Sequence, residues 1–312
     1  VTMGMKAKSA INTRRSGFQL FLLTLPFLVL VFLFSYVPLY GWVYALFDYR
    51  AGMKLGDSEF VGFKYFAELV NNEFVREDVL RVLRNTFAMS FLGILTAPLP
   101  AIFAMMLSEI RSSRFKKTVQ TLTTLPNFIS WILMYSVVWA IFSVGDGFMN
   151  RFLLAAGFIE TEINFLASPD YIWLKMVGYG LWKGLGWGAI IYLAAIASID
   201  QELYEAATVD GAGRFQKMWH ITVPGLQATF FVLLLLSIAN FINNGVDQYY
   251  VFQNPLNKSH IEVLDLYVYN QGILGNNISY STVVGILKTI VSVTLLFFAN
   301  GLSKLIRKES II

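Results

Sequence analysis

Ser237, Asn240, Asn244 and Asp247 recur three or four residues apart in a hydrophobic stretch, with Asn243 and Gln248 beside them. On a helix that spacing gathers them into one polar stripe. Amides and hydroxyls both donate and accept hydrogen bonds, so such a stripe suits the hydroxyl groups of a sugar. It equally suits hydrogen bonds between helices, each typically worth under about 1 kcal/mol. Two cations extend the inventory. Lys183, flanked by Trp182 and Trp187, can meet a sugar carboxylate while the indoles stack on pyranose faces; alternatively it snorkels to a boundary or forms a salt bridge. Lys288 poses the same choice. The chemistry on offer is recognition.

Bond-breaking chemistry is poorly supplied. The chain has no cysteine, which excludes disulfides, thiolate nucleophiles and cysteine metal sites. Its two histidines, His220 and His260, fall in different loops and in no metal-ligand spacing such as HExxH. No nucleophile–base set or pair of intramembrane acids stands out, so a membrane-embedded enzyme is a weak reading. There is no GxxxxGK[ST] phosphate loop, and nucleotide energy has to come from another chain. No cofactor and no metal is expected here. Nor is nucleic acid, since no basic cluster is interleaved with aromatics.

The recognition residues have to be positioned by membrane helices. Of 312 residues, 56% are hydrophobic and 14% charged, a balance too apolar for an ordinary soluble domain. Runs of about twenty apolar residues, enough to span hydrocarbon, occur near 18–39, 85–107, 118–144, 172–197, 222–246 and 281–304. The expected fold is an all-α integral membrane protein with six transmembrane helices. The first run follows Lys6, Lys8, Arg14 and Arg15 but is too long for a signal peptide and lacks a cleavage site, so it reads as a retained helix. The tails and even-numbered loops hold thirteen Lys/Arg, against only Arg151 and Lys258 in the two later odd-numbered loops. Both termini, 1–17 and 305–312, are therefore expected in the cytoplasm.

Within a single membrane domain, 18–304, the outer loop at 40–84 is expected to end in an amphipathic helix, Phe74 to Arg84, lying along the outer face. Pro98, Pro100 and Pro126 predict local kinks. Gly180, Gly184 and Gly188 recur every fourth residue, a small-residue ridge that another helix can approach closely. No internal repeat is visible, and no matching pair of broken segments marks an ion-driven carrier.

Between the fourth and fifth runs lies a polar stretch at 198–221, and the residues from Glu202 to Pro224 read ELYEAATVDGAGRFQKMWHITVP. Leu203, Ala206, Ala207 and Asp210 share one side of a short helix that the alanines keep thin, so a partner can come close to its backbone. Gly211 and Gly213 permit a turn. Phe215, Met218 and Trp219 predict an apolar stripe against membrane helices, and Thr222 with Pro224 predicts the start of the next helix.

Glu205-Ala206-Ala207, three residues, Gly211, nine residues, Ile221, two residues, Pro224 resembles the EAA loop of the membrane subunits of bacterial ATP-binding-cassette importers that depend on a binding protein. The pattern departs at Val223, where that family usually has leucine. YVPLYGWVYALFDYR from Tyr36, SEIRSSRFKKTVQTLTTLPNFISW from Ser108 and LWKGLGWGAIIYLAAIASID from Leu181 are similar to the oligosaccharide and polysaccharide branch, relatives of the maltose permeases. Asn127, more often histidine there, and Gln201, often proline, are departures. The resemblance implies a cytoplasmic coupling helix between helices four and five, seated in a cleft of an ATPase subunit. Glu205 would meet a basic group there, Ala206, Ala207 and Gly211 would give fit and turn, and Asp210, Ile221 and Pro224 would complete the docking element.

It further implies a second homologous permease, two ATPase subunits that bind ATP and Mg, and an extracellular or periplasmic sugar-binding protein. The cargo implied is an oligosaccharide, with polysaccharides and uronate-containing breakdown products in the same class. The setting implied is a bacterial plasma membrane.

Overall fold

The computed structural model describes the backbone of residues 2–307 and the side chains of residues 17–301 and 304. Val1 and 308–312, parts of the two expected tails, lie outside the described residues. The chain opens with α1 (Thr2–Val31), which passes through a π turn (Phe32–Tyr36) into a 3-10 segment (Val37–Leu46), then α2 (Lys64–Asn71), α3 (Glu73–Thr96) and α4 (Pro98–Ser108). Next come α5 (Ser113–Thr124), α6 (Trp131–Phe142), α7 (Phe148–Ala155) and α8 (Ile172–Ala197). The second half holds α9 (Gln201–Val209), α10 (Arg214–Lys217), α11 (Val223–Ala239), α12 (Asp247–Phe252), α13 (Lys258–Ile261), α14 (Leu264–Tyr269) and α15 (Ile278–Arg307). Among the described residues there is no strand.

By length and composition five helical segments can cross a membrane: Gly17–Leu46, Glu73–Ser108, Ile172–Ala197, Arg214–Ala239 and Ile278–Gly301. A sixth crossing exists only as a pair, Ser113–Phe128 and Trp131–Phe142, bent by 110°. The third run therefore breaks where a kink was expected. Pro126 offers no backbone donor, and Ser130, in extended conformation, starts a new helix by accepting a hydrogen bond from the Leu133 N–H at 3.3 Å.

Residues 74–84 do not form a separate surface helix. The Asn72 side chain caps α3 by accepting from the N–H groups of Phe74 and Val75, and nothing interrupts the helix until Ala97, before Pro98. With α4 it makes one 36-residue segment. Val75, Val79, Val82 and Leu83 turn inward against Tyr65, Leu264, Tyr267 and Val283, so protein covers most of the apolar face that was expected to lie on lipid, while Phe74 and Leu80 stay exposed. The amphipathic helix of this loop is α2, whose Tyr65 is buried.

Arg81 on α3 donates to Glu262 at 2.9 Å and to Asp78 at 2.8 Å. The Glu262 side chain is only 2% exposed and also accepts from Asn270 Nδ2 at 2.7 Å. Removing Arg81 leaves the buried carboxylate only the more distant, exposed Lys258, 4.0 Å away, a loss approaching the roughly 3–5 kcal/mol of a broken buried pair. Arg81→Met is expected to lower the thermal unfolding midpoint of the purified subunit clearly, and adding Glu262→Leu to recover part of it. An unchanged midpoint in the single variant contradicts this.

Two further expectations about helix ends are corrected. No helix begins at Thr222: α10 runs through a π turn, Met218–Thr222, directly into α11. The Val223 N–H reaches back to the Met218 carbonyl, and Thr222 spends its hydroxyl on Tyr204 at 2.9 Å instead of on a cap. Helix α11 itself stops at Ala239, with Asn240 as its C-cap, so the apolar run to 246 ends in a turn closed by Gly245 at φ +78°.

Small residues set the closest packing. Ala101, Ala104 and Ala189 are buried together with Tyr192 and Leu226 where α4, α8 and α11 meet, and their size lets the helix backbones approach.

Candidate functional site

Helices α3, α8 and α11 and the turn after α11 enclose a cavity of about 430 Å³. Its polar wall is made by Ser237, Asn240, Asn243, Asn244 and Gln248 from the second half of the chain, and by Ser90 and Thr96 from α3. Gly93, Gly180 and Gly184 leave room. A Cβ built on Gly184 would meet nothing within 4 Å, so within this chain it faces open space. The close approach occurs elsewhere on α8, at Gly188 against the Pro100 ring (3.3 Å) and at Gly186 against α5.

The polar residues reach the cavity from three kinds of backbone, not from one helical stripe. Ser237 and Asn240 sit on the last turn of α11, Asn243 and Asn244 in the loop, and Gln248 on α12. Asn244 Nδ2 donates to Ser90 Oγ at 2.9 Å, and Gln248 Nε2 donates to the Met176 carbonyl at 2.6 Å. Ser90 Oγ also lies 3.4 Å from Asn244 Oδ1 and Gln248 Nε2 3.9 Å from Met176 Sδ, yet each amide keeps hydrogen-bonding capacity for a ligand. Among the described residues of this wall none is charged.

Four sequence candidates are placed outside the wall. Asp247 opens α12. Trp182 is exposed on α8. Lys288 pairs with Asp265, which also accepts from the Gly245 N–H at 2.8 Å. This pair thereby pins the turn that carries Asn243 and Asn244. Lys183 donates to the carbonyls of Pro126 (3.1 Å), Asn127 (2.8 Å) and Ile129 (2.6 Å). Sequence reasoning missed Ser90, Thr96 and Asp265; the first two lie on α3 and the third on α14, and only the folded chain brings them to the asparagines.

The polar loop is a second preorganised element. Asp200 caps α9 by accepting from the Glu202 N–H at 3.0 Å. Gly211, at φ +79°, ends α9: the Ala212 N–H donates to the Ala207 carbonyl (2.8 Å) and the Gly211 N–H to the Thr208 carbonyl (3.1 Å). This paired closure needs a left-handed residue, which glycine supplies without a Cβ clash. Lys217 Nζ donates to Thr208 Oγ1 at 2.7 Å, tying α10 to α9. Ala207, Asp210, Gly211 and Ile221 line a hollow of about 330 Å³. Glu205 lies on the wall of another, of about 520 Å³, with Lys116, Arg214 and Lys217. Ala206 and Pro224 are exposed.

The stripe expected to pack on membrane helices does not do so. Phe215 is 81% and Trp219 69% exposed, because the unbroken α10–α11 helix carries them past the end of the bundle. They leave an uncovered apolar surface on α10 and the π turn that follows it.

Residues 89–308, which carry both the cavity wall from α8 onward and the loop, match the family described as binding-protein-dependent transport system inner membrane component. The chain belongs to that family. This permease is 40% identical over 293 residues to Protein LplB of Bacillus subtilis (strain 168), covering 94% of this chain and 90% of the relative. It is 37% identical to the polygalacturonan/rhamnogalacturonan transport system permease protein YteP of the same organism, over 94% and 89% of the two chains. Among solved structures it is similar to a chain of a bacterial ABC transporter involved in the import of the acidic polysaccharide alginate, with a TM-score of 0.83 and 29% identity over 95% of this chain and 98% of that one. A chain of the alginate transporter in complex with an alginate pentasaccharide-bound periplasmic protein gives a TM-score of 0.84 at 30% identity, over 96% and 99%.

The permease is a multi-pass, all-helical membrane subunit of an ABC importer. It is noncatalytic.

Proposed function

We propose that this permease conducts an oligosaccharide across a bacterial plasma membrane, its amide-lined cavity forming one side of the path and a second homologous permease the other. The observation that carries this is the wall itself. Ser237, Asn240, Asn243, Asn244 and Gln248 converge on one open volume beside three glycines, and neutral groups that donate and accept are what sugar hydroxyls require. Relatives named for polygalacturonan, rhamnogalacturonan and alginate place the cargo among sugars. Among the described residues this subunit's wall holds no cation, so its contacts address hydroxyls, and the carboxylates of a uronate are left to the partner.

The remaining partners follow the same reasoning. The first candidate span, Gly17–Leu46, has a most apolar window that is 0% buried in its own chain, which leaves it to lipid and to a second permease. The α9–α10 loop serves one of two ATPase subunits through Glu205, Ala206, Ala207, Asp210, Gly211, Ile221 and Pro224, and ATP and Mg bind on those subunits. Both termini then face the cytoplasm, and a sugar-binding protein delivers cargo on the opposite side.

Asn240→Leu combined with Asn243→Leu tests the path. Losing two hydrogen-bonding side chains, at about 0.5–1.5 kcal/mol each, is expected to slow the maximal uptake rate of an oligogalacturonide by about tenfold or more while copurification of partner subunits persists. Unchanged uptake by the assembled variant removes the cavity from the route.

A further inference from the structure

A lysine inside a membrane-crossing helix needs a counter-charge, a polar boundary or a built acceptor set. Lys183 has the third. Its ammonium has three donors, and three backbone carbonyls, those of Pro126, Asn127 and Ile129, accept them at 3.1, 2.8 and 2.6 Å. All three belong to the break between α5 and α6, where the helical pattern is interrupted and carbonyls lose i+4 partners, the Pro126 carbonyl keeping only the Ile129 N–H at 3.3 Å. The Trp131 ring stands 5.5 Å from the same nitrogen, within the reach of a cation–π contact.

Lys183 does not act alone at this joint. Three residues on, Gly186 lies so close to α5 that a Cβ there would fall 2.3 Å from the Thr123 carbonyl. Four residues on, Trp187 packs edge to face on Phe128 at 5.6 Å. Residues at these spacings share one side of α8, and that side is fastened to the break at three points. The neighbouring side of the same helix carries Gly180 and Gly184 into the cavity. Helix α8 thus has a wall face and a clamp face.

We propose that Lys183 is a positioning residue for transport: its ammonium clamps the broken third span to α8, so that span and cavity wall move as one body, and it does not touch cargo. The wall is assigned to transport by the reading above; the clamp is a separate property of Lys183. A break of two short helices bent by 110° has no backbone ladder of its own to transmit motion. The three charge-assisted hydrogen bonds supply that connection.

The absence of cysteine from this chain allows the clamp to be rebuilt chemically. In the complete transporter, copurified with its partner subunits and reconstituted in vesicles, Lys183→Cys is expected to lower the maximal uptake rate of a short oligogalacturonide about tenfold or more, with its half-saturating concentration within twofold. Alkylation with 2-bromoethylamine, which restores an ammonium of lysine length, is expected to recover the rate to within about threefold. The (2-bromoethyl)trimethylammonium adduct, a cation without N–H donors, and a neutral ethyl adduct are expected to recover none. Lys183→Arg, which keeps donors, should assemble and retain at least about a third of the rate, whereas Lys183→Met should lose it.

The clamp is overturned if Lys183→Cys transports at the native rate, if the three adducts recover equally, if the half-saturating concentration rises with the rate unchanged, or if Lys183→Arg behaves like Lys183→Met. The adducts report on donors at residue 183. The asparagine variants report on the cavity. If either reading fails, the other is still judged on its own result.

Discussion

Gly186→Ala is expected to remove most of the folded permease from the membrane, although the substitution adds a single methyl group. A Cβ at this position would lie 2.3 Å from both the carbonyl carbon and the carbonyl oxygen of Thr123 and 2.7 Å from the Thr124 nitrogen. These are backbone atoms, and no rotamer change moves them aside. Helix α5 must retreat, and it cannot do so without stretching the Lys183 bonds to Pro126, Asn127 and Ile129. Overpacking of this kind costs about 1–3 kcal/mol in ordinary cores and occasionally more, and a shift of one helix against another belongs at the high end. Gly184→Ala, two residues away, adds its methyl to open space and is expected to leave yield and thermal unfolding close to native. Yield and unfolding midpoint of the two variants, measured side by side in detergent, decide the matter; equal behaviour would sink the assignment of Gly186 as the seat of α5.

That contrast marks how far the sequence could be read. Gly180, Gly184 and Gly188 form the visible four-residue ridge, yet the tightest contact of α8 falls on Gly186, which no periodicity singles out. A spacing rule tells which residues share a face, not what stands opposite. The six apolar runs and the all-helical class were legible because bilayer thickness and backbone hydrogen bonding impose both. The polar loop was legible for a different reason: its turn depends on a glycine at one fixed offset from a short helix, and Gly211 adopts the required φ.

What escaped were the ends and breaks of helices. Pro126 announces a disturbance, but whether a helix kinks or stops depends on what satisfies the freed carbonyls. Here the answer lies 54–57 residues away, in Lys183. The same long-range dependence turned the expected asparagine stripe into a set of residues from α11, a turn and α12, pinned by Asp265 and Lys288. Phe74 to Arg84 was misread because an apolar face looks the same whether lipid or Tyr65, Leu264 and Val283 cover it.

Glu205→Lys is expected to abolish sugar accumulation while leaving the subunit folded and in the membrane. Within this chain nothing structural depends on the carboxylate: Glu205 is exposed, and among the described residues it forms no ion pair. The fold of the loop rests instead on Asp200, Gly211, the Thr208–Lys217 bond and the Tyr204–Thr222 bond, none of which the substitution touches. A charge held on a rigid element without an internal partner is available to another chain. Lys116, Arg214 and Lys217 share its hollow with Glu109, so a reversed charge adds a fourth cation there and, on the proposed docking, loses the attraction to a basic group on the ATPase. Losing one member of a close interfacial charge pair costs about 2–5 kcal/mol, which corresponds to roughly 30-fold or more in the docked population. ATP hydrolysis and uptake measured on the same vesicles should therefore separate, with hydrolysis persisting and uptake falling by at least about 30-fold. Accumulation at the native rate would mean that Glu205 carries only a solvated charge, and the work of coupling would then have to pass through the uncovered apolar surface of Phe215 and Trp219.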